Sequence, residues 1–191
     1  YERKGEIDDS NAHPDASVLN WQADSLNKKR ETDNGGMSKT ERERAKVLRE
    51  EALAKAKNYD TIIYIGGLNH DFDVENQDRG SMKLPYEQEE LISALLRVKP
   101  ETVVVLCGGS PVELEAIGKY AKALLFMYYA GMEGGRALAE ILFGEVNPSG
   151  HIAETFPMKY TDTPTAEFGE FPGGESVSYH EGPFVGYRYY D

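Results

Sequence analysis

Three short apolar runs constrain this chain more than any other feature of its sequence. They span 61–65, 102–106 and 123–128, and each is too continuously apolar for a strand with one face in water. Segments with the apolar spacing of helices lie before, between and after these runs. Alternating buried strands and helices predict parallel pairing through right-handed crossovers. We therefore predict an α/β fold built on a three-layer, doubly wound, mostly parallel sheet.

The helix before the first run has the clearest start. Ser38 and Glu41 form the pattern of a capping box, in which hydroxyl and carboxylate accept hydrogen bonds from free amides at the helix N-terminus. Apolar residues then recur three or four apart as far as Ala56, which predicts one long amphipathic helix. Further helices are predicted from near Pro85, over 111–121, and over 132–143 with Gly144 as the stop.

The first 37 residues differ from the rest of the chain. They are polar and rich in turn-forming residues, and Trp21 is their largest apolar anchor. This pattern favours an irregular surface segment tied down by Trp21 over an independent binding loop. We expect residues 1–37 to lead into a single domain that spans 38–191.

The charge of the chain excludes some classes of partner. The net charge is −12, whereas binding to nucleic acid or to an anionic membrane requires a basic face. No apolar run approaches the roughly 20 residues of a membrane-spanning helix. The chain opens without Met or a signal-peptide pattern, so we expect a fragment or a processed product. A single cysteine excludes an internal disulfide.

The loop after the first run is the best candidate for chemistry, because ligands of open parallel sheets bind outside the carboxyl ends of the strands. A calcium loop is not indicated, since Asn76 and Met82 stand where glycine and glutamate are needed. Either this is a solvated acidic loop pinned by an Asp78–Arg79 interaction, or one of its crowded carboxylates is a general acid. The charged and aromatic residues of this loop are His70, Asp71, Phe72, Asp73, Glu75, Asp78 and Arg79.

Three other segments favour structural roles. Cys107 lacks the turn pattern of a nucleophile and is interpreted as a small residue that closes a strand. The glycines of 131–135 could hold an anion at a helix N-terminus, but the spacing matches no phosphate loop and favours tight packing. The cluster at 179–181 could line a cleft, although packing against a neighbouring domain is the favoured interpretation.

Several motifs with intact spacing resemble the second, α/β half of β-glucosidase-type family 3 glycoside hydrolases. The resemblance covers about residues 42–191. The motifs are YDTIIYIGGLN at 59–69, ENQDR at 75–79, LP at 84–85, YAGMEGG at 129–135, ALAEILFG at 137–144, NPSG at 147–150, TFP at 155–157 and YHEGPFVGYRYYD at 179–191.

The resemblance implies a division of labour between two domains. Family members place a (β/α)8-like barrel before the α/β sandwich, with the active site between them. The barrel supplies an Asp nucleophile, and the sandwich supplies a Glu that acts as general acid and then as general base. The matching position here is Glu75, and its loop neighbours are candidates for lining the substrate cleft. A retaining glycosidase needs such a pair of carboxyl groups, one protonated and one ionised.

Two departures from the family pattern qualify these expectations. Asn76 stands where the family has glycine after the acid/base residue. No barrel, no usual opening strand of the sandwich and no following fibronectin-like domain is recognised within these 191 residues. We therefore expect a partial sandwich, a nucleophile outside this chain, and no activity from the chain alone. Asp191, the terminal residue, is not a substitute nucleophile.

The resulting expectation is part of a retaining exo-β-glycosidase that hydrolyses terminal β-D-glucosyl residues. The resemblance implies no cofactor or metal, the barrel domain as partner, and a periplasmic or secreted location. One alternative is a non-catalytic carbohydrate-binding or scaffolding module with the same fold. Another is a flavodoxin-like nucleotide or flavin binder, which the sheet permits although the phosphate loop is missing.

Overall fold

The computed structural model describes residues 37–75, 79, 81–168 and 178–190. The predicted surface segment 1–37 lies almost wholly outside the described residues, so the domain boundary stays a prediction. The described elements are α1 (Lys39–Ala56), β1 (Ile63–Gly67), α2 (Gln88–Val98), β2 (Val103–Cys107), α3 (Glu115–Gly118), β3 (Ala123–Phe126), α4 (Gly134–Leu142), a 3-10 turn (Tyr160–Asp162), α5 (Pro164–Phe168) and α6 (Tyr187–Tyr190).

The three strands form one parallel sheet in the order β1-β2-β3. Tyr64 pairs with Val104, which pairs in turn with Leu124, and this register holds along the sheet. The predicted α/β class with parallel pairing is thereby confirmed. Because parallel strands all point the same way, the loops that follow β1, β2 and β3 leave the sheet at the same end, where the carboxyl ends of the strands lie.

The main core lies between this sheet and one layer of helices. Helix α2 contacts α1, α3 and β1. Its residues Ile92 and Leu95 are buried in one cluster with Val104 and Leu106 of β2 and Ile117 of α3. Each such side chain contributes about 1.5–3 kcal/mol by leaving water. Successive right-handed crossovers in one direction place α2 and α3 on the same face.

Helix α1 begins as its sequence predicts. The Ser38 hydroxyl accepts a hydrogen bond from the Glu41 amide at 3.3 Å, and the Glu41 carboxylate accepts one from the Ser38 amide at 2.7 Å. The capping box is therefore confirmed. The buried side of the helix consists of small residues, Ala45, Ala52 and Ala56.

Helix α2 begins at Gln88, three residues after the Pro85 near which the sequence predicts its start. Tyr86 and Glu87 have φ angles of 60° and 56°, and this left-handed backbone cannot belong to a right-handed helix. The phenyl ring of Phe72 meets Tyr86 edge-on at 5.1 Å, and Arg49 bonds Glu87 at 3.3 Å. These tertiary contacts accompany the late start.

Two other predicted elements are shorter than expected. In place of a helix over 111–121, α3 has four residues, because the backbone before it bonds elsewhere. The Glu113 amide donates to the Met82 carbonyl, and the Pro111 carbonyl accepts from Arg79. Strand β3 ends before Tyr128, whose φ is 52°. The predicted stop at Gly144, with φ 77°, follows the end of α4.

The opposite face of the sheet is only partly covered among the described residues, although Val105 of β2 is buried there. Ile65 of β1 points there and is 47% exposed. Met132 and Phe143, at the two ends of α4, are 97% and 81% exposed. In three-layer α/β folds this face is covered by a second layer.

Replacing a core residue of α2 tests the buried helix layer. We expect Ile92→Ala to lower the free energy of unfolding by about 2–5 kcal/mol, because a fully buried side chain leaves a cavity. Val47→Ala on exposed α1 is the control, with a change within about 0.5 kcal/mol. Urea unfolding followed by circular dichroism measures both. Equal midpoints for the two variants would contradict the core assignment.

Candidate functional site

A buried glutamine holds the end of β1. The Gly67 amide donates to Gln88 Oε1 at 2.7 Å, and Gln88 Nε2 donates to the Gly67 carbonyl at 2.7 Å. The Tyr64 hydroxyl donates to the same Oε1 at 2.8 Å. The side-chain amide thus takes the place of a neighbouring strand on the free edge of β1. It fixes the point from which the candidate loop leaves the sheet.

The glycine pair at the end of β1 permits this close packing. A Cβ atom at Gly67 would collide with the Cys107 carbonyl oxygen, and one at Gly66 would collide with the Tyr64 hydroxyl. Gly67 also has a φ of 126°, which side-chain-bearing residues rarely adopt. The sequence places these glycines after the strand, whereas they form its last two residues.

Asp73 joins the loops that follow all three strands. Its Oδ2 accepts a hydrogen bond from the Gly109 amide at 2.8 Å, in the loop after β2. The same oxygen accepts one from the Tyr129 hydroxyl at 2.8 Å, in the segment after β3. A Cβ at Gly109 would lie 2.8 Å from that oxygen, so only glycine leaves room for the contact. One carboxylate therefore connects three strand ends.

Arg79 makes a second connection to the loop after β2. Its Nη2 donates to Ser110 Oγ at 3.0 Å and to the Pro111 carbonyl at 2.7 Å. Burial lowers the pKa of the Arg79 guanidinium below its ordinary value, and the nearby negative charge of Asp73 opposes this shift. The predicted Asp78–Arg79 interaction is untested, because Asp78 lies outside the described residues.

The remaining loop residues divide into packed and exposed groups. Phe72 packs against Tyr86, and the Asp71 amide donates to Asn69 Oδ1 at 3.0 Å. His70 and Glu75 are exposed. Among the described residues, Glu75 has no hydrogen-bond or ion-pair partner, in contrast to Asp73 two positions earlier. The two carboxylates therefore have different environments in one short loop.

The hydroxyl of Tyr129 remains a donor at neutral pH. Partial burial and the hydrogen bond to Asp73 raise the pKa of Tyr129 to about 12. Sequence reasoning did not identify Tyr129, Gly109 or Ser110 as partners of the candidate loop. Their proximity depends on strand register, and the glycine after β2 was the only local signal.

Two of the structural interpretations agree with the geometry. Cys107 ends β2 and is partly buried, and burial raises the pKa of its thiol, as expected for an unreactive cysteine. A Cβ at Gly134 would lie 2.7 Å from the Ala130 Cβ, which indicates tight packing at the start of α4. In the cluster at 179–181, His180 stacks on Phe168 at 4.4 Å, while Tyr179 is 95% exposed. Its role stays a prediction.

The described residues offer neither a cluster of metal ligands nor a membrane-spanning helix. Within the part of the chain that the structure describes, no three His, Cys, Asp or Glu side chains are grouped to hold a metal ion. No helix of that part has the length and apolar character needed to cross a membrane.

Residues 8–187 match the model of the glycosyl hydrolase family 3 C-terminal domain. The chain belongs to this family. The resemblance found in the motifs of 42–191 is confirmed, and the match extends it towards the N-terminus. The parallel sheet with its helices is the family fold, as the similarity to solved family members also indicates.

Similar proteins carry glycosidase names. Thermostable β-glucosidase B of Acetivibrio thermocellus is 46% identical over 142 residues, which cover 74% of this chain and 18% of that protein. An exo-α-(1→6)-L-arabinopyranosidase of Bifidobacterium breve is 39% identical over 146 residues, covering 76% and 19%. The crystal structure of a Kluyveromyces marxianus β-glucosidase with glucose gives a TM-score of 0.71 at 38% identity, covering 76% and 17%. The chain spans less than a fifth of the length of each.

The buried amide at the end of β1 can be tested by substitution. Gln88→Leu leaves the Gly67 amide and carbonyl unpaired, and we expect a loss of about 1–3 kcal/mol for each buried group. Tyr64→Phe removes only one donor to Gln88 and should cost about 0.5–1.5 kcal/mol. Urea unfolding of the chain compares them. A loss for Gln88→Leu no larger than that for Tyr64→Phe would refute the assigned role.

Proposed function

We propose that this domain provides the general acid/base, Glu75, of a retaining exo-β-glycosidase that hydrolyses terminal β-D-glucosyl residues. The observation that carries the proposal is the contrast between two carboxylates of one loop. Asp73 is engaged by the Gly109 amide and the Tyr129 hydroxyl, whereas Glu75 is exposed in the loop that follows β1. The family match supports the reaction class.

The proposed reaction has two steps. The protonated Glu75 carboxyl first gives its proton to the glycosidic oxygen as the bond to the leaving alcohol breaks and an Asp of the barrel bonds to the anomeric carbon. The Glu75 carboxylate then removes a proton from water, whose oxygen displaces that Asp. Sugar and free alcohol are the products, and both carboxyl groups return to their starting state. The partner is the barrel domain that holds the sugar.

Glu75 is preferred to the other acids of its loop for a physical reason. A proton donor must reach a substrate held by a neighbouring domain, so its carboxyl must be accessible. The Asp73 carboxylate is fixed by two donors, and Asp71 is only half-exposed whereas Glu75 is exposed. Asp78 lies outside the described residues.

The choice of β-D-glucose comes from the names of similar proteins. One is named a β-glucosidase and another an arabinopyranosidase, so the family fold accommodates more than one sugar. The barrel would supply most contacts to the sugar ring. We propose β-D-glucose because it recurs among the names, and a periplasmic or secreted location by the same family analogy.

The central experiment is Glu75→Gln in the full-length enzyme that carries this domain. For cellobiose, whose leaving sugar needs a proton, we expect kcat/KM to fall by about 100- to 10,000-fold. For 2,4-dinitrophenyl β-D-glucoside, whose leaving group departs without a proton, the fall should be much smaller. Azide should restore turnover by intercepting the glycosyl intermediate, with glucosyl azide as the product.

The control is Glu90→Gln, which changes an exposed glutamate of α2 in the same way and should leave both substrates unaffected. Full activity of Glu75→Gln on cellobiose would reject the proposed role. It would favour the alternative, a non-catalytic carbohydrate-binding or scaffolding module.

A further inference from the structure

The loop that carries Glu75 is held on both sides of that residue by the same short segment. Asp73, two residues earlier, accepts from the Gly109 amide. Arg79, four residues later, donates to Ser110 and to the Pro111 carbonyl. Residues 109–111 are consecutive in the sequence, so both attachments converge on one place in the loop after β2.

We propose that Asp73 is a positioning residue, which fixes Glu75 relative to the sheet by binding the Gly109 amide and the Tyr129 hydroxyl. This inference rests on the proposed function, because it assigns a purpose to the contact only if Glu75 transfers protons. It adds a residue that the two-carboxylate mechanism does not require. Asp73 does not touch the substrate in this proposal.

The geometry of the contact favours positioning over simple surface charge. One oxygen, Oδ2, accepts both hydrogen bonds at 2.8 Å, and the two donors follow different strands. The Tyr129 ring also lies beside Gly109, since a Cβ there would be 3.1 Å from the Tyr129 Cε2 atom. Carboxylate, ring and glycine are therefore packed together in one joint between the segments after β1, β2 and β3.

Arg79 links the charge of Asp73 to the second attachment. The guanidinium is partly buried, and the charge of the Asp73 carboxylate favours its cationic form. The carboxylate that binds the Gly109 amide before Glu75 is thus also close enough to act on the charge of the attachment after it.

Proton transfer depends strongly on placement. A donor must lie within about 3 Å of the leaving oxygen, and a displacement near 1 Å can cost about 100-fold in rate. Without the Asp73 contact, the nearest side-chain attachment before Glu75 is Phe72, which packs against Tyr86 and the hydrophobic core. Glu75 would then have lost the attachment, two residues before it, that joins its loop to the segments after β2 and β3.

Three variants of the full-length enzyme each change one of the three groups that meet at the joint. Asp73→Ala removes the acceptor, Tyr129→Phe removes one donor with little change of shape, and Gly109→Ala inserts a methyl group against Oδ2. Asp73→Asn keeps an acceptor oxygen and serves as the conservative rescue. Tyr120→Phe is the matched control. Tyr120 is exposed and precedes β3, so it lies near the amino ends of the strands, away from the contact at Asp73.

The readout is kcat/KM for cellobiose divided by kcat/KM for 2,4-dinitrophenyl β-D-glucoside. A misplaced proton donor impairs only the first substrate, so we expect Asp73→Ala to lower this ratio by about 10- to 100-fold. Tyr129→Phe and Gly109→Ala should lower it by smaller factors, and Asp73→Asn should recover part of it. The double variant Asp73→Ala with Tyr129→Phe should have a ratio no lower than that of Asp73→Ala alone. The hydrogen bond between Tyr129 and Asp73 is already absent in Asp73→Ala, so removing the hydroxyl as well costs nothing further.

Other outcomes identify which statement fails. An unchanged ratio in Tyr129→Phe and Gly109→Ala, or equal losses on both substrates in every variant, overturns the positioning role even if Glu75→Gln behaves as proposed. Azide rescue of Asp73→Ala together with an active Glu75→Gln would make Asp73 the acid itself and overturn both proposals. Tyr129→Phe keeps the test decisive if Asp73→Ala does not fold.

Discussion

The parallel pairing of β1 with β2 is the interaction on which the rest of the structure depends. The backbone pairing from Ile63–Val103 to Gly67–Cys107 places the carboxyl ends of β1 and β2 side by side. The carboxyl end of β3 lies next to that of β2. Because these ends are aligned, a short aspartate side chain after β1 can reach the backbone after β2 and a hydroxyl after β3. The same contact would be impossible across an antiparallel pair, because the loops that follow its two strands leave at opposite ends of the sheet.

Two carboxylates of one loop have acquired opposite environments. Asp73 meets an amide, a hydroxyl and the field of a guanidinium, whereas Glu75 faces solvent. A group satisfied by neighbours within the domain contributes to shape, and an accessible group can exchange protons with something outside it. This difference in environment, more than the number of acidic residues, is the reason for proposing a structural role for Asp73 and a chemical role for Glu75.

The sequence was informative where local chemistry decides the structure. The capping box at Ser38, the glycine stop at 144 and the apolar strands follow from hydrogen bonding and periodicity over a few residues. The late start of α2 could not be predicted, because its left-handed residues contact Phe72 and Arg49 from distant parts of the chain.

The candidate site was predictable only in part. Motif spacing predicts the loop and, through the family resemblance, Glu75 as its acid/base residue, and that role stays a proposal. The joint at Asp73 was not predictable, since its partners lie 36 and 56 residues away and become neighbours only through the register of the sheet. No short-range pattern distinguishes an aspartate with such partners from a solvated one.

The amide that holds β1 has a consequence for the durability of the fold. Gln88 is neutral at every pH, so acid or alkali does not release its hold on Gly67. Its nitrogen donates to the Gly67 carbonyl, however, whereas its oxygen accepts from the Gly67 amide. Deamidation would replace the nitrogen with a second oxygen facing the Gly67 carbonyl. Once the new carboxyl group is ionised, two acceptors would oppose each other at one enclosed side chain and loosen the strand from which the loop departs.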